Sequence, residues 1–185
     1  QRLAIACALV GEPDILFLDE PTTGLDPQSR RQLWDLITAF RVGGGTVLLT
    51  THYMEEAERL CDRVAIVDRG RVMRAGSPAE LIQALGAQHV IEFELEPADA
   101  AAAAATAGQG GTIDEADARA LPSVTDVRLA ADGAWSLTVS EPHRAVPMLA
   151  ALVQERGRAL ARLSTRHATL EDVFVKLTGR HLRDG

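Results

Sequence analysis

The chain has 185 residues, of which 46% are hydrophobic and 24% charged, a composition typical of a folded globular protein rather than a disordered one. The 26 acidic residues outnumber the 19 basic ones, and the net charge of −7 argues against a surface for nucleic acid or an anionic membrane. No uncharged apolar run reaches the ~18 residues of a membrane span, and we interpret Cys7 and Cys61 as isolated thiols of a reduced, cytosolic protein.

Helical and strand patterns alternate through the first half of the chain. Residues 1–10 predict a helix, and the apolar run at 15–18 predicts a short strand buried on both faces. A second helix begins at Pro27, where the missing N–H of proline costs nothing, and ends at the glycines 43–45. Residues 46–51 predict a second buried strand. Because continuous apolar strands alternate with helices, we expect a parallel sheet covered on both faces.

Shorter elements complete this first domain, which we place at residues 1–86. An acidic helix start is predicted at 53–60, two strands around an Arg-Gly turn at 63–76, and a short capped helix at 77–85. The first domain is therefore of the α/β class.

A second domain is expected over residues 87–185, where the pattern changes. Residues 89–96 alternate between apolar and polar side chains, which predicts a strand with one exposed face. Residues 98–111, rich in alanine and glycine, are interpreted as a surface insertion. Thr112 and Glu115 have the spacing of a capping box, which predicts the start of a short helix.

The remainder of this domain begins with a hairpin around an Asp-Gly turn at 132–133. A helix at 144–156, a weak strand and a helix capped by Thr169 follow. The order strand, helix, hairpin, helix, strand, helix resembles a small ferredoxin-like α+β sandwich.

Charged side chains follow the two buried strands of the first domain. Asp19 and Glu20 come directly after one strand, and His52 comes just after the other. Ligands of open parallel sheets bind at the carboxyl ends of strands, so neighbouring strands would place these side chains on one rim. There, a first carboxylate can hold Mg²⁺, usually through water, and a second can deprotonate a water that attacks a γ-phosphate. An imidazole can donate a hydrogen bond to the phosphoryl oxygens.

Each of these features alone has a simpler explanation. A carboxylate pair after a strand can cap the next turn, and a single histidine can be a packing or surface residue. The other histidines lack the spacing of metal ligands and are interpreted as surface or packing residues: His89, His143, His167 and His181. The surrounding sequence as a whole favours the catalytic interpretation.

The string ILFLDEPTTGLDP at residues 15–27, followed by LLTTH at 48–52, resembles the ATP-binding subunits of ABC transporters. The resemblance implies the C-terminal part of a P-loop NTPase sheet, with ATP and Mg²⁺ as cofactors. Asp19 is then the Walker B carboxylate that holds Mg²⁺ through water, Glu20 the catalytic base and His52 the sensor of the γ-phosphate. The nucleotide-binding residues implied for the D-loop are Gly24, Leu25 and Asp26.

The resemblance also implies where the chain starts relative to the family. Residues 1–13 look like the helix that follows the family's signature sequence. The glycines at 43–45 precede a strand, whereas a phosphate-binding loop follows a strand and opens a helix. We therefore expect the chain to lack the Walker A loop and the signature, and to be inactive alone.

The C-terminal sequence ATLEDVFVKLTGRHLRD looks like the ending of ATPases that serve multidrug and antibiotic exporters of the daunorubicin-resistance type. The resemblance implies a homodimer of ATPase subunits, cytoplasmic and peripheral on the inner face of a bacterial cell membrane. This dimer would drive a separate membrane permease that exports drugs, antibiotics or other hydrophobic compounds. Two alternatives stay open: an ABC ATPase without a transport role, and a truncated product that acts only as a non-catalytic regulatory module.

Overall fold

The computed structural model describes residues 2–96, 113–130 and 133–179. The insertion predicted at 98–111 and the predicted cap Thr112 lie outside the described residues. Within the described part of the chain, no helix combines the length and the apolar character needed to cross a membrane.

Two compact units divide the chain, one formed by the described residues up to Leu81 and from Val173 onwards, the other by Ile82–Asp172. The domain assignment of 1–86 and 87–185 stays a prediction. Helices and strands alternate through the first part of the chain, as the sequence predicts. Its elements are α1 (Arg2–Leu9), β1 (Ile15–Asp19), α2 (Pro27–Val42), β2 (Thr46–Thr50), α3 (Met54–Leu60), β3 (Val64–Asp68), β4 (Arg71–Gly76) and α4 (Pro78–Gln83).

The strands β1 and β2 form a parallel pair, in which Ile15 pairs with Thr46 and Asp19 pairs with Thr50. The two strands therefore end level with each other, and the predicted parallel pairing is confirmed. The strands β3 and β4 pair antiparallel around the predicted Arg-Gly turn. The first unit is thus a mixed α/β structure with a parallel strand pair next to the candidate site.

Burial along β1 differs from the prediction. Leu16 and Leu18 are buried, whereas Ile15 is 52% and Phe17 is 71% exposed. One face of β1 packs on the core of this unit, and the opposite face is exposed in the described structure. An unbroken apolar run is compatible with either arrangement, so the expectation of a strand buried on both faces was wrong.

The core of the first unit joins α1, β1, α2 and α3. Its buried members are all hydrophobic side chains: Ile5, Leu16, Leu18, Leu33, Trp34, Ile37 and Leu60. Because β1 and α2 pack into the same core, this cluster fixes the ends of the segment that connects them. That segment carries most of the residues predicted to bind nucleotide.

The second unit contains the strands β5 (His89–Leu95), β6 (Val124–Leu129), β7 (Trp135–Val139) and β8 (Leu160–His167), which form an antiparallel sheet in the order β6-β7-β5-β8. This order and the succession of its elements agree with the predicted ferredoxin-like sandwich. Its core is mainly aliphatic and includes two aromatic residues, Phe93 and Trp135, which stack with ring centroids 5.8 Å apart. The helices of this unit are α5 (Glu115–Arg119) and α6 (Pro142–Glu155). The last described helix, α7 (Leu170–Thr178), begins in this unit, and its residues from Val173 onwards belong to the first.

The helix α5 exists as predicted, but its cap is a different residue. Asp114 Oδ1 accepts a hydrogen bond from Asp117 N at 2.8 Å, and Asp117 Oδ2 accepts one from Asp114 N at 3.3 Å. These two aspartates form the capping box that the sequence analysis assigned to Thr112 and Glu115. Aspartate is among the preferred N-cap residues, so the Asp-x-x-Asp pair serves the same purpose two residues further along.

Candidate active site

The predicted catalytic side chains lie together where β1 and β2 end. Glu20 follows Asp19, the last residue of β1, and its amide donates a hydrogen bond to Thr50 O at 3.0 Å. This bond extends the strand pairing by one residue. His52 Nδ1 then lies 3.2 Å from Glu20 Oε1, with the two side chains 42% and 48% exposed. The level ends of the two strands therefore create the contact between the predicted base and the predicted sensor.

Asp19 presents an exposed carboxylate on the same rim. Thr50 Oγ1 donates a hydrogen bond to Asp19 Oδ1, and the same hydroxyl oxygen accepts one from Glu20 N at 3.3 Å. Proteins usually hold Mg²⁺ by one or two carboxylates together with waters and substrate phosphates. The described residues contain no group of three or more His, Cys, Asp or Glu that could bind a metal. Asp19, oriented by the Thr50 hydroxyl, therefore fits Mg²⁺ only if waters and substrate phosphates supply the other ligands.

Glu20 has an unusual backbone conformation. Its φ of 43° lies in the left-handed region, which costs a non-glycine residue about 1–3 kcal/mol. Thr23 Oγ1 donates a hydrogen bond to Glu20 Oε2 at 3.1 Å, so Thr23 and His52 contact different carboxylate oxygens. Strained residues of this kind cluster at functional sites, and the turn directs the Glu20 side chain towards His52.

The predicted D-loop residues lie between Glu20 and the start of α2. Gly24 has φ 77° and is exposed, and Leu25 packs against the core of the unit. Asp26 caps α2, because its Oδ1 accepts hydrogen bonds from Gln28 N at 3.0 Å and Ser29 N at 2.9 Å. Hydrogen bonds from Ser29 lower the pKa of Asp26. The Asp26 carboxylate is therefore already engaged within its own chain.

Sequence reasoning missed a buried carboxylate behind the site. Glu56 in α3 is 0% exposed, and its Oε1 accepts a hydrogen bond from Trp34 Nε1 at 3.0 Å. Its second oxygen, Oε2, has no partner among the described residues. The sequence does not reveal this pair, because an acidic residue in the first turn of a helix ordinarily faces solvent and is stabilised there by the helix dipole. Thr50 was also missed, because its pairing with Asp19 depends on the strand register, which neither strand alone determines.

A parallel strand pair that ends on two carboxylates, with a histidine touching one of them, is suited to the hydrolysis of a phosphate bond. Residues 1–56 match a family model described as "AAA domain, putative AbiEii toxin, Type IV TA system". Nod factor export ATP-binding protein I of Cupriavidus pinatubonensis is 39% identical over 184 residues, which are 100% of this chain and 50% of that protein. The daunorubicin resistance ATP-binding protein DrrA3 of Streptomyces coeruleorubidus is 37% identical over 179 residues, covering 97% of this chain and 52% of that protein.

A solved structure described as the ATP-binding subunit of an ABC transporter is 34% identical and covers 46% of this chain and 35% of that one, with a TM-score of 0.43. The chain spans about half the length of the curated relatives that it matches. Along its whole length the chain is similar to these ATP-binding proteins, and the predicted resemblance to the ATP-binding subunits of ABC transporters is confirmed.

Proposed function

We propose that this chain is the part of an ABC-type ATPase subunit that carries the residues of ATP hydrolysis. The complete subunit would couple ATP hydrolysis to export through a separate membrane permease. The observation that carries the proposal is the 3.2 Å contact between Glu20 Oε1 and His52 Nδ1 at the ends of two parallel strands. The names of the relatives, which refer to Nod factor export and daunorubicin resistance, support the export role.

The proposed roles follow from the geometry of the rim. Asp19 would hold Mg²⁺ through water, and the bound ion would neutralise charge on the phosphate oxygens. Glu20 would take a proton from the attacking water through a carboxylate oxygen, since each oxygen has a second lone pair beside its contact with His52 or Thr23. His52 would orient Glu20 through Nδ1 and contact the phosphoryl oxygens through its other ring nitrogen.

We further propose that Gly24, Leu25 and Asp26 form a nucleotide-contacting loop. Because the Asp26 carboxylate caps α2, the contacts would come from the exposed backbone around Gly24. The cap would then set the position of this loop relative to α2.

The remaining parts of the proposal concern the assembly. Two subunits would form a homodimer on the inner face of a bacterial cell membrane, where each engages the permease. The transported compounds would be drugs, antibiotics or other hydrophobic molecules, and residues 87–185 would serve as an accessory domain. The support for these points is the similarity to named export proteins.

A titration of the complete subunit with Mg-ATP and with metal-free ATP tests the division of roles. Asp19→Asn is expected to weaken Mg²⁺-dependent binding, and Glu20→Gln is expected to preserve it, because only Asp19 is assigned to the metal. Equal loss of binding in both variants would contradict this division. An export assay with a permease encoded by a neighbouring gene would then distinguish a transporter subunit from an ABC ATPase without a transport role.

A further inference from the structure

The side chains of His52, Tyr53 and Arg30 form a stack of three. The His52 ring packs on the Tyr53 ring with centroids 4.2 Å apart and planes tilted by 38°. The guanidinium of Arg30 packs in turn on the Tyr53 ring, with its Cζ 4.5 Å from the ring centroid. This distance is within the range of a cation–π interaction. His52 therefore contacts two side chains, Tyr53 through its ring and Glu20 through Nδ1 at 3.2 Å.

We propose that Arg30 and Tyr53 are positioning residues that hold the His52 imidazole against Glu20. This inference rests on the proposed function, because it matters for catalysis only if His52 takes part in hydrolysis. Arg30 packs on Tyr53 and Tyr53 packs on His52, so each would act through His52.

The surroundings of Arg30 support a role in stacking rather than in an ion pair. Its Nε is buried and has no hydrogen-bond partner among the described residues. A buried donor without a partner is unfavourable, so a compensating contact is needed to keep the guanidinium in place. The face of Tyr53 is the contact that the structure provides.

The backbone of Tyr53 is itself fixed on two sides. Its amide donates a hydrogen bond to Thr51 Oγ1 at 2.9 Å, and its carbonyl accepts one from Glu56 N at 3.1 Å. Glu56 is tied to α2 through Trp34, which lies one helical turn after Arg30. The helix α2 thus holds the Tyr53 ring through Arg30 and the Tyr53 backbone through Trp34.

An NMR experiment on the 185-residue chain tests the stack without any need for activity. The readout is the nuclear Overhauser effect between the ring protons of His52 and Tyr53. We expect Arg30→Met, which keeps the side-chain length but not the guanidinium, to abolish this effect while the melting temperature stays unchanged. The matched control is Arg31→Met, an exposed neighbour on the same helix, which should leave the spectrum as in the wild type.

Arg30→Lys, which keeps a cation, serves as the second variant should Arg30→Met fail to fold. An unchanged Overhauser effect in Arg30→Met, or its loss in either Arg31→Met or the cation-keeping Arg30→Lys, would overturn the proposal.

A kinetic cycle on the complete subunit tests the consequence for hydrolysis. We expect Tyr53→Leu to lower kcat about tenfold with KM for ATP unchanged, less than the ~10²-fold loss that a 1 Å misplacement can cause. Tyr53→Phe, which keeps the ring, should restore nearly full turnover. In the His52→Ala background, Tyr53→Leu should have no further effect on kcat, because the effects of substituting interacting residues are not additive.

Full additivity of the two effects on kcat would refute the positioning role. A His52→Ala variant with normal turnover would instead refute the proposed function, while the NMR result would still decide whether the stack exists.

Discussion

His52 contacts Glu20 through one ring nitrogen only, with Nδ1 at 3.2 Å from Glu20 Oε1. The second nitrogen, Nε2, makes no hydrogen bond to the part of the chain that the structure describes. Glu20 differs, because both of its carboxylate oxygens have a contact: Oε1 with His52, and Oε2 with Thr23, whose hydroxyl donates a hydrogen bond to it. His52 thus holds Glu20 through Nδ1 and has Nε2 available for a further contact, whereas His52 and Thr23 together fix both oxygens of the Glu20 carboxylate.

Replacement of Glu20 by glutamine should separate binding from turnover in the complete subunit. A general base typically contributes ~10²–10⁴-fold to the rate, equal to roughly 3–5 kcal/mol of barrier at ~1.4 kcal/mol per decade. Glutamine keeps the shape and the contact with His52 but cannot take a proton. We expect at least ~100-fold slower phosphate release, normal ATP binding, and accumulation of an ATP-bound dimer in size-exclusion chromatography.

The control for this variant is Glu12→Gln. Glu12 is an exposed glutamate that also has a positive φ, of 45°, but lies in the turn after α1. It should behave as the wild type. A rate loss of less than ~10-fold in Glu20→Gln, too small for a general base, would mean that another group accepts the proton.

His52→Ala should lower turnover and leave the fold intact. The side chain is 42% exposed and follows β2 by two residues, so its removal leaves little unfilled space in the core. Phosphate release and thermal unfolding measured on the same sample separate the two effects. His143→Ala, on the exposed face of α6, is the control. A lower melting temperature with normal turnover would identify His52 as a packing residue.

Trp34→Phe should destabilise the first unit through Glu56. The substitution removes the N–H that Glu56 Oε1 accepts, and leaves both oxygens of a fully buried carboxylate without a partner. The expected loss is about 1–3 kcal/mol of unfolding free energy, measured by urea denaturation with circular dichroism. Glu56→Gln in the same background should recover part of it, because a neutral amide is less costly to leave unpaired. An equal loss of unfolding free energy in Trp135→Phe, where no such bond is broken, would show that the smaller ring, and not the lost hydrogen bond, causes the destabilisation.

The stability of the second unit should depend on pH through Asp172. Burial alone would raise the pKa of Asp172, but hydrogen bonds from Arg166, at 2.7 and 2.9 Å, and from Thr169 lower it below its usual value. A pKa that is lower in the folded state stabilises the protein above about pH 4, the usual value of an aspartate. This contribution disappears as the pH falls through the lowered folded pKa.

We therefore expect Asp172→Asn to lower the urea midpoint at neutral pH and to converge with the wild type in acid. Glu171→Gln, at the exposed neighbouring position, should show no such convergence. A difference between Asp172→Asn and the wild type that stays constant across the pH range would show that the carboxylate charge does not contribute.

The sequence predicts the rim of the site because parallel strands need a long crossover between them. Two apolar runs separated by the helix α2 satisfy that requirement, so their carboxyl ends were expected at one edge. This argument alone does not predict the contact between Glu20 and His52, since the contact depends on the pairing of Asp19 with Thr50. Register of this kind arises from packing between strands and is not written in either strand alone.

Other features could not be predicted, for reasons that differ from residue to residue. The cap of α5 was misplaced because several polar residues near Thr112 have suitable chemistry, and only backbone geometry selects Asp114. Glu56 gave no signal because a buried acid requires a specific donor, here Trp34, from a distant element. The exposed face of β1 was not foreseen because hydrophobicity reports a preference for burial, not the presence of a neighbour that provides it.

The open face of the parallel pair has a practical consequence for anyone who purifies this chain. Phe17 is paired with Leu48 across the two strands, and these residues are 71% and 60% exposed, with Ile15 at 52% on the same face. Contiguous apolar surface of this kind binds fluorescent hydrophobic dyes and promotes precipitation at high concentration. The folded chain should therefore bind such dyes, which are ordinarily used as a sign of partial unfolding, and dye binding alone would be a misleading criterion of its quality.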